Sequence, residues 1–188
     1  MDVAELLIIA VGVSMDAFAV SICKGLSVPH IKASHVLKTA LWFGGFQALM
    51  PLLGFYVGVS FADFVSSVDH WIAFILLGII GGNMMKESFA GHDSCDISPD
   101  FSVRTMLAMA VATSIDALAI GVSFAFLKVD IWGAILIIGL MTACFSGAGI
   151  LLGNHFGNRY KSKAEFAGGF ILIAMGLKIL VEHLLQNS

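Results

Sequence analysis

Six long apolar segments make up most of this chain, and each approaches the roughly 20 residues that an α-helix needs to cross a bilayer. Apolar residues follow one another instead of alternating with polar ones, which predicts membrane-spanning helices and not the strands of a membrane barrel. Only 12% of the residues are charged, against about a quarter in a soluble domain. We therefore expect an all-α integral membrane protein with six transmembrane helices, over Val3–Cys23, Val36–Phe61, Trp71–Phe89, Val103–Leu127, Ile131–Phe156 and Ala164–Leu185.

The distribution of lysine and arginine predicts how these helices are oriented. If the N-terminus faces outside, eight of the ten basic residues fall in cytoplasmic loops, while Lys128 falls outside and Lys178 lies within the last span. Basic residues accumulate in cytoplasmic loops. We therefore predict that both termini lie outside the cytoplasm, and that the polar stretch 90–102 is a cytoplasmic linker. The sequence has no cluster of basic residues that would indicate a nucleic-acid partner. We expect the lipid bilayer to surround the helices.

Two similar motifs, 100 residues apart, indicate an internal repeat. Ser14-Met15-Asp16-Ala17-Phe18-Ala19 matches Ser114-Ile115-Asp116-Ala117-Leu118-Ala119. The two halves, 1–89 and 103–188, would each contain three spans, so the second half would enter the membrane from the opposite side. The result is a pair of inverted three-helix repeats, an architecture with which transporters place a site near the midplane. At an offset of 95, the repeat also pairs Gly54 with Gly149, Gly58 with Gly153 and Gln47 with Thr142.

Asp16 and Asp116 are the strongest candidates for a functional site. A charged side chain at the centre of a bilayer costs roughly 2.5–3.5 kcal/mol on insertion scales, so it is rarely present without a function. Two carboxylates would neutralise one divalent cation, and hard cations such as Mg²⁺, Ca²⁺ and Mn²⁺ prefer oxygen ligands. We therefore predict a cation site that both halves share. Structural pairing of these acids with Lys24 or Lys178 is the alternative interpretation.

Further polar residues could complete or flank this site. Gln47 could supply an amide oxygen or make an interhelical hydrogen bond, and Thr142 could supply a hydroxyl. Back-bonding to a helix carbonyl is the simpler interpretation for Thr142 and for the two serines of the motifs. Two acids could flank the pathway at opposite membrane faces or pair with nearby lysines. The candidate ion ligands are Asp16, Asp116, Gln47 and Thr142, and the candidate pathway residues are Glu87, Glu182, Ser14 and Ser114.

Two other functions remain as alternatives at this point. The same fold could export another divalent cation or a small amino acid, although no buried arginine is present to bind an amino acid's carboxylate. An intramembrane aspartyl protease also uses two aspartates. The motifs here lack the glycine expected beside a catalytic aspartate, and an inverted repeat favours transport over catalysis. The chain has no P-loop motif for ATP hydrolysis, and we expect neither enzymatic activity nor a cofactor.

At these residues the chain resembles the bacterial manganese efflux pump (MntP) family, within a superfamily typified by lysine exporters. The resemblance covers nearly the whole length. The motifs that carry it are Ser14-Met15-Asp16-Ala17-Phe18-Ala19, Lys24-Gly25, Pro51-Leu52 with Gly54, His70-Trp71-Ile72-Ala73-Phe74 and Ala112-Thr113-Ser114-Ile115-Asp116-Ala117.

The resemblance implies a specific function for the two acids. It implies that Asp16 and Asp116 bind Mn²⁺ as a transported substrate, and that the chain exports it from the cytoplasm across the bacterial inner membrane. The expected mechanism is secondary transport by alternating access, with protons as the candidate counter-ion, because the same carboxylates could be protonated when the metal leaves. The oligomeric state is not predicted.

Overall fold

The computed structural model describes residues 3–65, 100–127 and 129–156, together with single helical residues within 74–86 and 166–181. Every regular element in the described part is an α-helix. This confirms the all-α prediction for these residues. The helices that the structure describes over their full length are α1 (Val3–Leu26), α2 (Ala33–Val65), α3 (Val103–Ala112), α4 (Ile115–Phe126) and α5 (Ile131–Phe156).

Three of these helices are long and apolar enough to cross a membrane by themselves. They are α1, the Ala33–Ser60 part of α2, and the Ile131–His155 part of α5. Together α3 and α4 form a fourth candidate span, bent by 46° at the break between them. The chain is therefore a multi-pass membrane protein.

The break between α3 and α4 differs from the prediction of one continuous helix over Val103–Leu127. The hydroxyls of Thr113 and Ser114 donate to carbonyls one turn earlier, at 3.0 Å to Met109 and 2.6 Å to Ala110. Such back-bonding competes with the backbone ladder and bends helices. The backbone N–H of Ser114 bonds to the Val111 carbonyl, three residues back, so the regular pattern is interrupted here.

The helices pack in an interleaved order. The main partner of α1 is α5, and α2 packs against both α5 and α4, whereas α1 and α2 touch each other only slightly. Glycines permit close contact: a Cβ added at Gly149 would lie 2.9 Å from the Phe18 carbonyl oxygen, and one at Gly54 would overlap the Leu118 carbonyl. In both helix pairs, residues later in one helix contact residues later in the other. Therefore α1 runs parallel to α5, and α2 runs parallel to α4.

The crossing of α2 and α5 is formed by very small residues. A Cβ added at Gly44 would lie 2.7 Å from the Gly139 carbonyl oxygen, and one at Gly139 would lie 2.9 Å from the Ala48 Cβ. Within a membrane, where lipid tails are as apolar as leucine, such small residues allow helices to associate by close van der Waals packing.

One end of the bundle is joined by a buried lysine. Lys24, expected in a cytoplasmic loop, instead lies completely buried at the end of α1. Its ammonium donates to the Asp100 carbonyl oxygen at 2.6 Å and lies 4.6 Å from the Phe101 ring centroid. That ring stacks on His35 at 4.3 Å, so the start of α2 belongs to the same cluster. The cluster therefore ties the end of α1 to the first turn of α2 and to the segment that precedes α3.

Asp100 also fixes the start of α3. Its carboxylate accepts hydrogen bonds from the Ser102 hydroxyl at 2.6 Å and the Thr105 hydroxyl at 2.8 Å. These bonds, that of Ser102 above all, hold the pKa of Asp100 below its usual value. Ser102 is in turn the N-cap of α3, because its side chain accepts from the Thr105 backbone N–H.

Candidate functional site

The two predicted acids meet in the structure. Asp16 lies in the middle of α1, Asp116 lies in the first turn of α4, and their carboxyl groups lie close enough to interact directly. Both oxygens of Asp116 are shielded from solvent, and neither accepts a well-formed hydrogen bond from a described residue. Two acids 100 residues apart in sequence therefore form one dyad.

The helix break between α3 and α4 determines the surroundings of Asp116. Because α4 begins at Ile115, the Asp116 carboxyl lies beside the N-terminal end of a helix, and the backbone N–H groups of Asp116 and Ala117 interact with it. The N-terminus of a helix carries a partial positive charge that stabilises an anion. In the first half, α1 continues unbroken through Asp16, so the two acids occupy different backbone environments.

Gln47 reaches the same region from α2. Its side-chain Nε2 donates to the Val13 carbonyl oxygen at 3.0 Å, so the expected interhelical hydrogen bond is present. Its Oε1 is buried and has no hydrogen-bond partner among the described residues. The amide is therefore held in place by its nitrogen while its oxygen stays free to accept a ligand.

Thr142 contacts α1 at Ser14, two residues before Asp16. Its hydroxyl forms a 2.8 Å hydrogen bond with the hydroxyl of Ser14, which also donates to the Ala10 carbonyl at 2.6 Å. Back-bonding is therefore present for Ser14, as it is for Ser114. For Thr142 the structure shows an interhelical bond instead, because the close approach of α1 and α5 places a second hydroxyl within reach.

A buried serine near this region was missed by the sequence reasoning. Ser146 lies one turn after Thr142 on α5; it is completely buried, and its hydroxyl has no hydrogen-bond partner among the described residues. The repeat gave no signal for it, because the matching position in the first half is Pro51. Its location in an apolar helix, four residues after a candidate ligand, was the available indication.

The described residues contain no group of three or more His, Cys, Asp or Glu side chains that could hold a metal ion. The two candidate pathway acids, Glu87 and Glu182, lie outside the described residues. A cation at the dyad would thus be bound by two carboxylates and by neutral oxygens. That donor set suits a hard divalent cation that keeps part of its water, and not a soft ion that requires thiolates.

Family comparison agrees with this chemistry. Residues 30–180 match the model of a family described as "Putative manganese efflux pump". The chain belongs to this MntP family. Proteins carrying the same description are similar over nearly their full length. The protein of Acetivibrio thermocellus is 56% identical (98% of this chain, 93% of the relative), that of Desulfitobacterium hafniense is 56% identical (96% and 95%), and that of Mannheimia succiniciproducens is 51% identical (98% and 99%).

No solved structure matches the chain. Membership of the MntP family, whose description is that of a pump, confirms the prediction of a transport protein and not an enzyme. It therefore sets aside the aspartyl protease alternative. It assigns no role to individual residues.

Proposed function

We propose that this chain is a secondary transporter that exports Mn²⁺ from the cytoplasm, and that the Asp16–Asp116 dyad binds the ion. The observation that carries the proposal is the pair of interacting carboxyls of α1 and α4, of which the Asp116 oxygens are shielded from solvent. Like charges this close repel each other. A divalent cation between them would turn that repulsion into attraction. The identity of the ion and the direction of transport come from the names of the relatives.

The proposed architecture has six spans in two inverted repeats, 1–89 and 103–188, joined by a cytoplasmic linker. The described single residues within 74–86 and 166–181 are helical, as two further spans require. The helix contacts also support the repeat, because they recur under the offsets of 100 and 95 seen in the sequence. Gly54 approaches Leu118 as Gly149 approaches Phe18, and Gly58 approaches Val122 as Gly153 approaches Ile22.

The proposed setting is the bacterial inner membrane with both termini outside the cytoplasm, supported by the distribution of basic residues. Gln47 through its Oε1, and Thr142 through its hydroxyl, would complete the ion's oxygen shell. Ser14 and Ser114 would line the path on either side of the dyad, with Glu87 and Glu182 at its two ends. Protons would replace the metal on the carboxylates during the return step.

Manganese content tests the direction of transport. In cells that normally make this chain, deletion of its gene should raise total cellular Mn²⁺, and re-expression should lower it again. The same comparison in cells loaded with Mg²⁺, Ca²⁺ or an amino acid tests the alternative substrates. We expect deletion to leave the cellular content of each of these solutes unchanged. A fall in Mn²⁺ on deletion would mean uptake, and a change with another solute alone would mean a different substrate.

The unequal conformations of the two motifs suggest how access alternates. In an inverted repeat, the state open to the opposite side is obtained when the two halves exchange conformations. In the opposite state, α1 should therefore be broken near Val13, the counterpart of Thr113. The helix that α3 and α4 form should then be continuous through Ser114. Hydrogen exchange during turnover should show opening of the amides at 14–17 as well as at 114–117. Exchange limited to the second motif in an actively transporting protein would contradict this mechanism.

A further inference from the structure

Ser146 differs from the other buried serines in the described helices. Ser14, Ser21, Ser114 and Ser123 each donate to the carbonyl four residues earlier, at distances of 2.6, 2.6, 2.6 and 3.2 Å. Ser146 is equally buried and also lies in the middle of a helix, yet its hydroxyl makes neither this bond nor any other with the described residues. A buried hydroxyl without a partner loses the hydrogen bonds that water would have supplied, so the arrangement requires an explanation.

The contacts of α5 place Ser146 at the level of the dyad. One turn before it, Thr142 bonds to Ser14 on α1 at 2.8 Å. About one turn after it, Gly149 approaches Phe18 so closely that an added Cβ would lie 2.9 Å from the Phe18 carbonyl oxygen. Because α1 and α5 run parallel here, Ser146 lies beside residues 14–18 of α1, the segment that contains Asp16.

A second buried oxygen without a hydrogen-bond partner among the described residues lies near the same segment of α1. Gln47 is anchored by its nitrogen to Val13, and its Oε1 is buried without a described partner. Two neutral oxygens from different helices, α2 and α5, thus remain unsatisfied within one turn of the same segment of α1. Both are hard donors of the kind that replace water around a divalent cation.

We propose that the Ser146 hydroxyl is a further cation-binding oxygen of the transport site, and that it takes the place of a water on the partly dehydrated ion. This inference rests on the proposed function and adds to it a ligand from α5. Because the hydroxyl has no hydrogen-bond partner among the described residues, it can rotate so that its lone pairs face the ion.

Substitutions at Ser146 test this role with Mn²⁺ and Cd²⁺ as the probes. In the purified full-length protein, Ser146→Ala should weaken Mn²⁺ binding roughly tenfold by titration calorimetry. Ser146→Cys keeps nearly the same shape and replaces a hard oxygen with a soft sulfur. It should therefore shift the preference from Mn²⁺ towards Cd²⁺, a change that a purely structural role would not produce. Ser21→Ala and Ser21→Cys are matched controls, because Ser21 is equally buried and its hydroxyl already bonds to Ala17; both should leave Mn²⁺ affinity and the Mn²⁺ to Cd²⁺ preference unchanged.

The outcomes separate this proposal from the proposed function. Wild-type Mn²⁺ affinity and an unchanged preference in both Ser146 variants, with binding lost in Asp16→Asn, would overturn the role of Ser146 and leave the dyad intact. Retained binding in Asp16→Asn would overturn the dyad itself. If Ser146→Ala does not fold, the nearly isosteric cysteine variant decides by its ion preference.

Discussion

Asp16→Asn and Asp116→Asn should each accumulate in the membrane at the wild-type level and yet fail to protect cells from manganese. Asparagine has nearly the shape of aspartate, so the helix contacts around the dyad are kept. The substitution removes one of the two negative charges that would neutralise the ion. We expect Mn²⁺ efflux to fall by at least about 100-fold, since loss of a mere outer-shell partner already costs 10- to 100-fold in metal affinity.

The measurement is growth and total cellular Mn²⁺ under manganese load, with the amount of protein checked by immunoblot. Asp130→Asn is a matched control, because Asp130 is exposed and caps the start of α5 through the Gly133 backbone N–H at 3.2 Å. Asparagine caps helices as well as aspartate does. Wild-type protection by either dyad variant at equal abundance would refute the proposed site.

Gly54→Ala and Gly121→Ala should prevent the helices from packing correctly. A Cβ at Gly54 would overlap the Leu118 carbonyl, and one at Gly121 would overlap that of Pro51, so α2 and α4 would have to separate. Overpacking costs typically 1–3 kcal/mol, and we expect at least about 3 kcal/mol here because the obstacle is backbone and not a movable side chain. The folded protein should become scarce, and its unfolding temperature in detergent should fall sharply.

Gly45→Ala provides the contrast within the same helix. Gly45 is exposed and an added Cβ would meet nothing within 4 Å, so alanine should gain about 1 kcal/mol of helix propensity without a clash. Gly54→Ala should lower the unfolding temperature and Gly45→Ala should raise it. This difference distinguishes a packing effect from a general intolerance of substitution in α2. Equal unfolding temperatures for Gly54→Ala and Gly45→Ala would show that the close approach of α2 and α4 is not required.

The sequence predicted much of the fold, because the membrane leaves few alternatives. Long apolar runs must form helices in lipid, and the helices found agree with the predicted spans at α1, α2 and α5. The meeting of Asp16 and Asp116 followed from the duplicated motif. Both predictions depend on patterns that extend over many residues, so small local errors did not affect them.

Other features depend on tertiary context that local patterns do not contain. The motifs around Ser14 and Ser114 are nearly the same, yet α1 is continuous and its counterpart is broken. The burial of Lys24 arises from its contact with Asp100, 76 residues away in the chain. The orphan hydroxyl of Ser146 depends on a rotamer, and a serine in an apolar helix ordinarily indicates back-bonding.

The interleaved packing also determines the order in which the protein can mature. Synthesis delivers α1 and α2 to the membrane first, although these two helices scarcely touch each other. Both pack against α5, which ends only at Phe156. Until it arrives, Gln47 can still bond to Val13 on α1, but both helices lack the partner with which each makes its most extensive contact. Assembly of the bundle is therefore completed late, when the fifth described helix enters the membrane.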